Sequence, residues 1–493
     1  MARKASRGRR RSREDDAPAD GGARSLPRAL ALTAASGLLW GVAHLWAGRR
    51  VAGALLMALF SGLVAAVVFT ATAFREDLAA LAVQPQWLTR LTAGLLALGA
   101  VWVAVLVRSY QIVRPGGLTA ATRTAGATCV AALCVLVSLP LVWAAHLSQV
   151  SNSTINNIFT GTEGRDIDTD DPWNGRRRVN VLLLGGDAGP NRVGVRTDSM
   201  TVASVDTRTG DTVLLSLPRN LENAPLPEGP ARDRFPYGFT GDGPLSPGLL
   251  NEVYEYAENH PDVVPGIPKE RRGAELLKGT ISGILGIPVD YYILVDMRGF
   301  ADIIDAMGGV RMTVPQDIVY GRYNEGVVKA GTRTLSGTEA LWFGRSRTFS
   351  DDYTRMGRQK CLLLAVARQA DPQRVLTRFS ELADATERAV STDIPSELLP
   401  ALVKLSSKMR GGAEVSSLQF VPPLINTGNP DYALIKSLTA KAIADSEGGT
   451  ASPSPSRTAA TATPKRPKAT RGPTATRSPA APSSKPVSLD ETC

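Results

Sequence analysis

The sequence predicts an α/β protein, a mixed central β-sheet covered by helices, preceded by a helical membrane anchor. Three observations carry this. Long apolar runs crowd the first 150 residues, short strand-like runs alternate with helix-period segments from Val179 onward, and the chain's basic excess lies outside that second region. The 493 residues allow about three domains at roughly 150 residues each.

The apolar runs lie near 29–47, 51–74, 91–107 and 125–147, and a bilayer crossing needs about 20 such residues. Residues 1–28 hold nine Lys/Arg and four Asp/Glu without apolar period, and read as a disordered basic cytoplasmic arm. No clear signal-peptide cleavage site follows them. Loop 108–124 carries Arg108, Arg114 and Arg123 and no acid, so the positive-inside bias places it in the cytoplasm. Segment 125–147 then exits, and everything beyond lies outside. Counting backward puts loop 75–90 outside and the Arg49-Arg50 turn inside. The arm belongs inside too, so segment 29–47, with Trp40, His44, Trp46 and its glycines, reads as re-entrant or interfacial. The membrane region 29–150 therefore has three spans, 51–74, 91–107 and 125–147. The alternative is four full spans with the globule in the cytoplasm.

A linker, 151–178, leads to a domain at 179–445. VNVLLLGGD, SMTVASVD and TVLLSLPR read as strands, the last two joined by the turn DTRTGD. SPGLLNEVYEYAEN and KERRGAELLKGTISGILG have helical spacing. YYILVD is a strand, RGFADIIDAMGG a helix ended by glycines, and VRMTVP a further strand. SGTEALWFGRSR and DYTRMGRQKCLLLAVARQA are helical, two more helices run to about Ser407, and VSSLQFV is strand-like. Such interleaving argues a mixed sheet with helical cover. Leu276, Leu277, Ile281, Ile284 and Leu285 read most simply as core, although an acyl-chain pocket has the same composition. Residues 446–493, rich in Ala, Thr, Pro and Ser, read as a disordered tail dispensable for folding.

Charge and rare residues exclude several functions. The net +10 divides unevenly, and residues 151–445 carry −4. An acidic globule is a poor binder of phosphate backbones, so no nucleic acid is expected. Four cysteines without C-x-x-C spacing exclude a disulfide scaffold; Cys361 reads as core and Cys493 as inert. His44 and His146 lie in apolar stretches and His260 reads as a surface helix end, which excludes H-E-x-x-H zinc proteases and disfavours a Ser-His-Asp hydrolase. Neither a P-loop nor a Rossmann glycine fingerprint occurs.

Arginines and acids gather at three strand ends or helix starts. Asp187 follows one strand, with Arg196 and Asp198 before the next; Arg219 stands at the end of a strand in SLPRN; and FGRSRTFSDDYTRMGRQK holds Arg345, Arg347, Asp352, Arg355, Arg358 and Gln359. Arg355 and Arg358, at i and i+3, share a helix face. Guanidinium forks match phosphate oxygens, and an Asp among them suits Mg²⁺ held by one or two carboxylates and the substrate's phosphates. Taken singly, an R-x-R is more often a solvated face and an R-x-D a local ion pair. Together they suggest a polyphosphate site with a metal.

The ordered set NVLLLGGD, RTDSMTVASVD, VLLSLPRN, LVDMRGFADIIDAMGGVRMTVP, LSGTEALWFGRSR and DDYTRMGRQ resembles the LytR-CpsA-Psr family of wall-polymer transferases, from about Val179 to Ala370. The resemblance implies a membrane-embedded phosphotransferase that moves a glycopolymer from a polyprenyl-pyrophosphate carrier to peptidoglycan, at the muramic acid 6-hydroxyl, with Mg²⁺ or Mn²⁺. It makes Asp198 the metal ligand and Arg196, Arg219, Arg345, Arg347, Arg355, Arg358 and Gln359 the pyrophosphate contacts. Asp187, Asp198 and Arg219 become the catalytic set, with Asp187 orienting arginines or accepting the acceptor proton. The chain departs from the pattern where Pro218-Arg219-Asn220 stands for P-R-D, around Arg192, and in its multi-span anchor.

Two rivals remain at this level: a non-catalytic carrier-binding scaffold, and a transcription regulator, which would need a cytoplasmic basic domain. The charge pattern generates a first test. A reporter fused after Gln149 should be extracytoplasmic and one fused at Tyr110 cytoplasmic; the opposite placement would remove the domain from peptidoglycan.

Overall fold

The computed structural model describes residues 25–74, 81, 83–159, 168, 171–187, 196–243, 246–321, 323–369, 390–448 and 484–493. The chain forms two units, one from 1–78 with 89–149 and the other from 79–88 with 150–493.

In the first unit, α1 (Leu26–Leu38) and α2 (Val42–Trp46) precede α3 (Arg50–Ala73), α4 (Pro85–Val113) and α5 (Ala120–Ile158). The three later helices are long and apolar enough to cross a membrane, and they contain the spans expected at 51–74 (but for Phe74), 91–107 and 125–147. Segment 29–47 is not one helix. It breaks before Gly41, whose φ of +96° belongs to the left-handed region that glycine tolerates. A Cβ there would stand 2.3 Å from the Gly53 carbonyl oxygen, so the break is packed directly against α3. The 13 residues of α1 rise about 20 Å, short of the ~30 Å hydrocarbon thickness. Trp40, Phe60 and Trp102 make a three-ring cluster with centroids 5.4–5.7 Å apart, and the Trp102 indole donates to the Gly37 carbonyl at 3.0 Å.

The second unit is built on a seven-stranded sheet in the order β11-β10-β3-β2-β1-β4-β9. Its strands are β1 (Arg178–Asp187), β2 (Arg196–Asp206), β3 (Thr212–Leu217), β4 (Tyr291–Asp296), β9 (Val390–Thr392), β10 (Val415–Gln419) and β11 (Val487–Ser488). β1 runs parallel to β4 and β3 parallel to β10, while the remaining neighbours are antiparallel. The sheet is therefore mixed, as its helix-interrupted strands predict.

Strand alternation gives the sheet two buried faces. Leu182, Leu184, Met200, Val202, Val213 and Leu215 pack on one side against α6 (Val253–Asn259), α7 (Lys269–Leu285) and α12 (Tyr432–Gly448). Leu276, Leu277, Ile281, Ile284 and Leu285 are filled core of that layer, not a lipid pocket. On the other side Val181 and Val205 meet Leu405 of α11 (Leu399–Arg410), and Leu214 meets Leu364 of α10 (Asp352–Gln369). Tyr292 is buried, and His260 caps the end of α6 stacked on Tyr256.

Residues 297–345 form a subsidiary layer. It holds α8 (Met297–Ala306), β5 (Val310–Val314), β6 (Ile318–Tyr320), β7 (Gly326–Val328), β8 (Gly331–Leu335) and α9 (Gly337–Arg345). The VRMTVP strand does not join the central sheet: β5 pairs with β8, and its burial alternates, so one face alone is covered. Ser336 and Glu339 close a capping box that fixes where α9 begins.

The end of the chain corrects the sequence expectation. Cys361 and Cys493 form a disulfide, so Cys493 is not inert and Cys361 is half-buried rather than plain core. β11 extends the sheet edge, and Leu489 of α13 (Leu489–Thr492) is fully buried. Composition averaged over 446–493 hid these few residues, which need little core when a covalent tie closes a loop of this length; such ties contribute about 2–4 kcal/mol. The stretch 449–483 lies outside the described residues, as do residues 1–24 of the arm, 160–167 and 169–170 of the linker, and 370–389, where one of the two further helices was expected.

Asp206, 3% exposed, ends β2. Its carboxylate accepts from the Arg208 and Thr209 amides at 2.8 and 3.2 Å and from Arg177 Nε at 3.1 Å. Burial alone would raise its pKa, but these donors prevail and hold it below the ordinary 3.8. A depressed carboxylate contributes stability that is present above its unfolded pKa and lost as pH falls through the folded one. Asp206→Asn should therefore cost on the order of 1–3 kcal/mol at neutral pH, with a smaller loss below pH 4, measured by urea unfolding across pH.

Candidate functional site

β1 and β4, lying side by side and parallel, end together beside the start of β2. Gly186 stands opposite Asp296, and a register shift at Gly185/Gly186 re-aims the β1 end toward the crevice. Crevices at the carboxyl ends of parallel strands are favoured ligand sites. A cavity of about 530 Å³ opens there, walled by β1, β2, β4, α8, α9, α10 and the loop after α9.

One half of the cavity is ionic. Arg219 donates to Asp198 Oδ1 at 2.7 Å. Asp352, the first residue of α10, stands amid three guanidinium groups: Arg347 Nε at 3.1 Å, Arg355 Nη2 at 3.1 Å and Arg219 Nε at 3.7 Å. Arg355, only 3% exposed, also donates to the Asp198 carbonyl at 3.0 Å, which ties α10 to β2. Burial, with Arg219 and Arg355 nearby, pulls the Arg347 pKa below the ordinary guanidinium value. The group stays charged, and its side chain, 43% exposed, remains within reach of an incoming anion.

The other half is apolar, lined by Leu183, Val295, Phe300, Leu341, Leu362 and Leu363. These come from five elements, so no single periodicity marks them.

The structure brings together most of the residues singled out from sequence. Asp198, Arg219, Arg345, Arg347, Arg355 and Gln359 all line the cavity. Arg345 lies over the Trp342 ring at 5.4 Å, and that ring stacks on Tyr320 at 5.0 Å. Gln359 donates to the Gly344 carbonyl at 3.1 Å, joining α10 to α9. Arg358 is placed differently: it is absent from the cavity lining and donates to the Ser346 carbonyl and to Ser350 Oγ, holding the loop that carries Arg347. The ladder sets Asp187 opposite Arg196; Arg192 lies outside the described residues. Asn220 faces Thr427 Oγ1 at 3.2 Å and does not line the cavity, so the departure from P-R-D sits behind the wall. Sequence reasoning left Asp352 without a role. Its signal was the i, i+3 spacing to Arg355.

No cluster of three His, Cys, Asp or Glu occurs among the described residues. A magnesium ion does not require one, since phosphates and water complete its shell. Asp198 lines the cavity, and Asp352 Oδ1 is buried and held by the Arg347 and Arg219 ion pairs without a well-aligned hydrogen bond. The carboxylates present fit a metal carried in with phosphates.

The cavity thus combines a cationic rim with an apolar trough. The chain belongs to the LytR_cpsA_psr family, whose model matches residues 145–444. A polyisoprenyl-teichoic acid–peptidoglycan teichoic acid transferase TagU of Bacillus licheniformis is 26% identical over 257 residues, 51% of this chain and 71% of that one. The TagU of Bacillus subtilis is 23% identical over 255 residues, covering 51% and 72%. The crystal structure of B. subtilis TagV is 23% identical and covers 55% of this chain and 97% of its own, with a TM-score of 0.39.

The double tether of Arg355 generates a prediction. Arg355→Lys keeps the charge, but its ammonium ends one bond short of Nη2, the atom that makes both contacts. It should lower unfolding stability by on the order of 1–3 kcal/mol, read by denaturant unfolding; an unchanged midpoint would show that the tether is idle.

Proposed function

We propose that this protein is a membrane-anchored phosphotransferase that moves a glycopolymer from a polyprenyl-pyrophosphate carrier to peptidoglycan outside the cell membrane. The cavity is the observation that carries the reading. Its rim offers paired donors of the kind that suit a pyrophosphate, and its apolar half has the chemistry of an isoprenoid site. Family membership and the transferase names of the relatives support the reaction class. Three apolar helices support a multi-pass anchor near a lipid substrate. The Cys361–Cys493 disulfide supports an extracytoplasmic domain, because such bonds persist in oxidising compartments.

In this reading Arg219, Arg345 and Arg347 neutralise the pyrophosphate and fix its orientation, while Arg355 and Gln359, also in the lining, tie α10 to β2 and α9. An acceptor sugar hydroxyl, the muramic acid 6-hydroxyl by family resemblance, attacks the phosphorus bonded to the glycan. The bond from that phosphorus to the bridging oxygen breaks, and polyprenyl phosphate leaves with its charge held by the rim. The hydroxyl proton passes to a carboxylate, for which Asp187 is the candidate. Asp198, with Asp352 nearby, would hold Mg²⁺ or Mn²⁺, which supplies further charge neutralisation on the phosphates. Catalysis is then positioning and electrostatic stabilisation.

The test is release of polyprenyl phosphate from a pyrophosphate-linked glycan by the full chain in detergent, with and without Mg²⁺. Asp198→Ala should lower turnover on the order of 10²-fold or more while carrier still binds. Arg345→Ala or Arg347→Ala should weaken carrier binding itself, each by about 1.5–3 kcal/mol. Full turnover by Asp198→Ala, or indifference to divalent metal, would turn the reading toward a carrier-binding scaffold.

A further inference from the structure

We propose that the C-terminal segment 484–493 is a brace that positions the pyrophosphate-binding wall through α10, an inference that rests on the site reading above. Three attachments define the brace. Val487 and Ser488 pair with Ser417 and Ser416 of β10 at the sheet edge. Leu489, with 0% exposure, wedges among Leu364 of α10, Leu214 of β3 and Val415 of β10. Cys493 is bonded to Cys361 of α10. The segment therefore spans from the sheet to the one helix that carries Asp352, Arg355 and Gln359.

The grip falls on the side of α10 away from the cavity. Cys361 lies two residues beyond Gln359, about 200° around a helix of 3.6 residues per turn. Leu489 fills the space between α10 and the sheet, so its volume sets how far the helix stands from β3. Shifting α10 outward moves Arg355 from the Asp198 carbonyl and Gln359 from the Gly344 carbonyl, contacts that stand at 3.0 and 3.1 Å. Misplacement of about 1 Å at such a site can cost up to about 10²-fold. Leu489 and Cys493 do not line the cavity and act by position alone.

The experiment uses the full chain in detergent and an unglycosylated polyprenyl pyrophosphate as probe, with affinity and thermal unfolding measured on the same samples. Leu489→Asn and Cys493→Ser should weaken probe binding on the order of tenfold or more at temperatures where the protein remains folded. Leu489→Met, which keeps the volume, should bind as the unsubstituted chain does. Asp206→Asn serves as the comparison that lowers stability without touching α10, and its affinity should not change. If Leu489→Asn and Cys493→Ser melt earlier yet bind the probe normally, the segment only stabilises the fold and the proposal is overturned. Failure of the unsubstituted chain to bind would overturn the site reading and the brace with it.

Discussion

Guanidinium groups repel, and this site needs several of them close together. At an effective dielectric near 20, two unit charges about 4 Å apart repel by about 4 kcal/mol. Two carboxylates make the arrangement tolerable. Asp352 faces Arg219, Arg347 and Arg355, and Asp198 takes Arg219 directly. Because Asp352 and Arg355 belong to α10, Arg219 follows β3 and Asp198 lies in β2, the ion pairs dictate how the helix must sit on the sheet. The cavity is a consequence of that seating. Its apolar half is what remains between β1, β4, α8, α9 and α10 once the charged ends are held together.

The same arrangement links anchor and chemistry. A long isoprenoid tail is insoluble and lives in the bilayer, so a domain that takes its head group gains from being tethered there. Phe159, the residue after the 120–158 helix, bridges to Thr392 of β9.

Much of this was legible in the sequence, for identifiable reasons. β1 and β2 were readable because β-branched and leucine runs lead up to Gly-Gly-Asp and follow Arg-Thr-Asp. The arginines were found because bidentate donors repeat at strand ends. What stayed hidden depends on three-dimensional neighbours. Asp352 looked like an acid in a helix's first turn, its simplest role, and nothing local shows three guanidinium groups around it. Arg358 shares a face with Arg355 by spacing yet turns to the Ser346 loop. Cys361 and Cys493 are 132 residues apart and carry no spacing signal. VRMTVP reads as a strand in any context, and only the partner strand β8 decides that it leaves the central sheet.

The central claim is that the ionic rim takes a pyrophosphate while the apolar half takes its lipid. A crystal structure of the chain with a polyprenyl pyrophosphate tests it most directly. The account predicts phosphate oxygens among Arg219, Arg345 and Arg347, with the tail running past Phe300, Leu341 and Leu362. A lipid bound elsewhere, or a head group turned away from these arginines with Asp352 still bridging them, would contradict it.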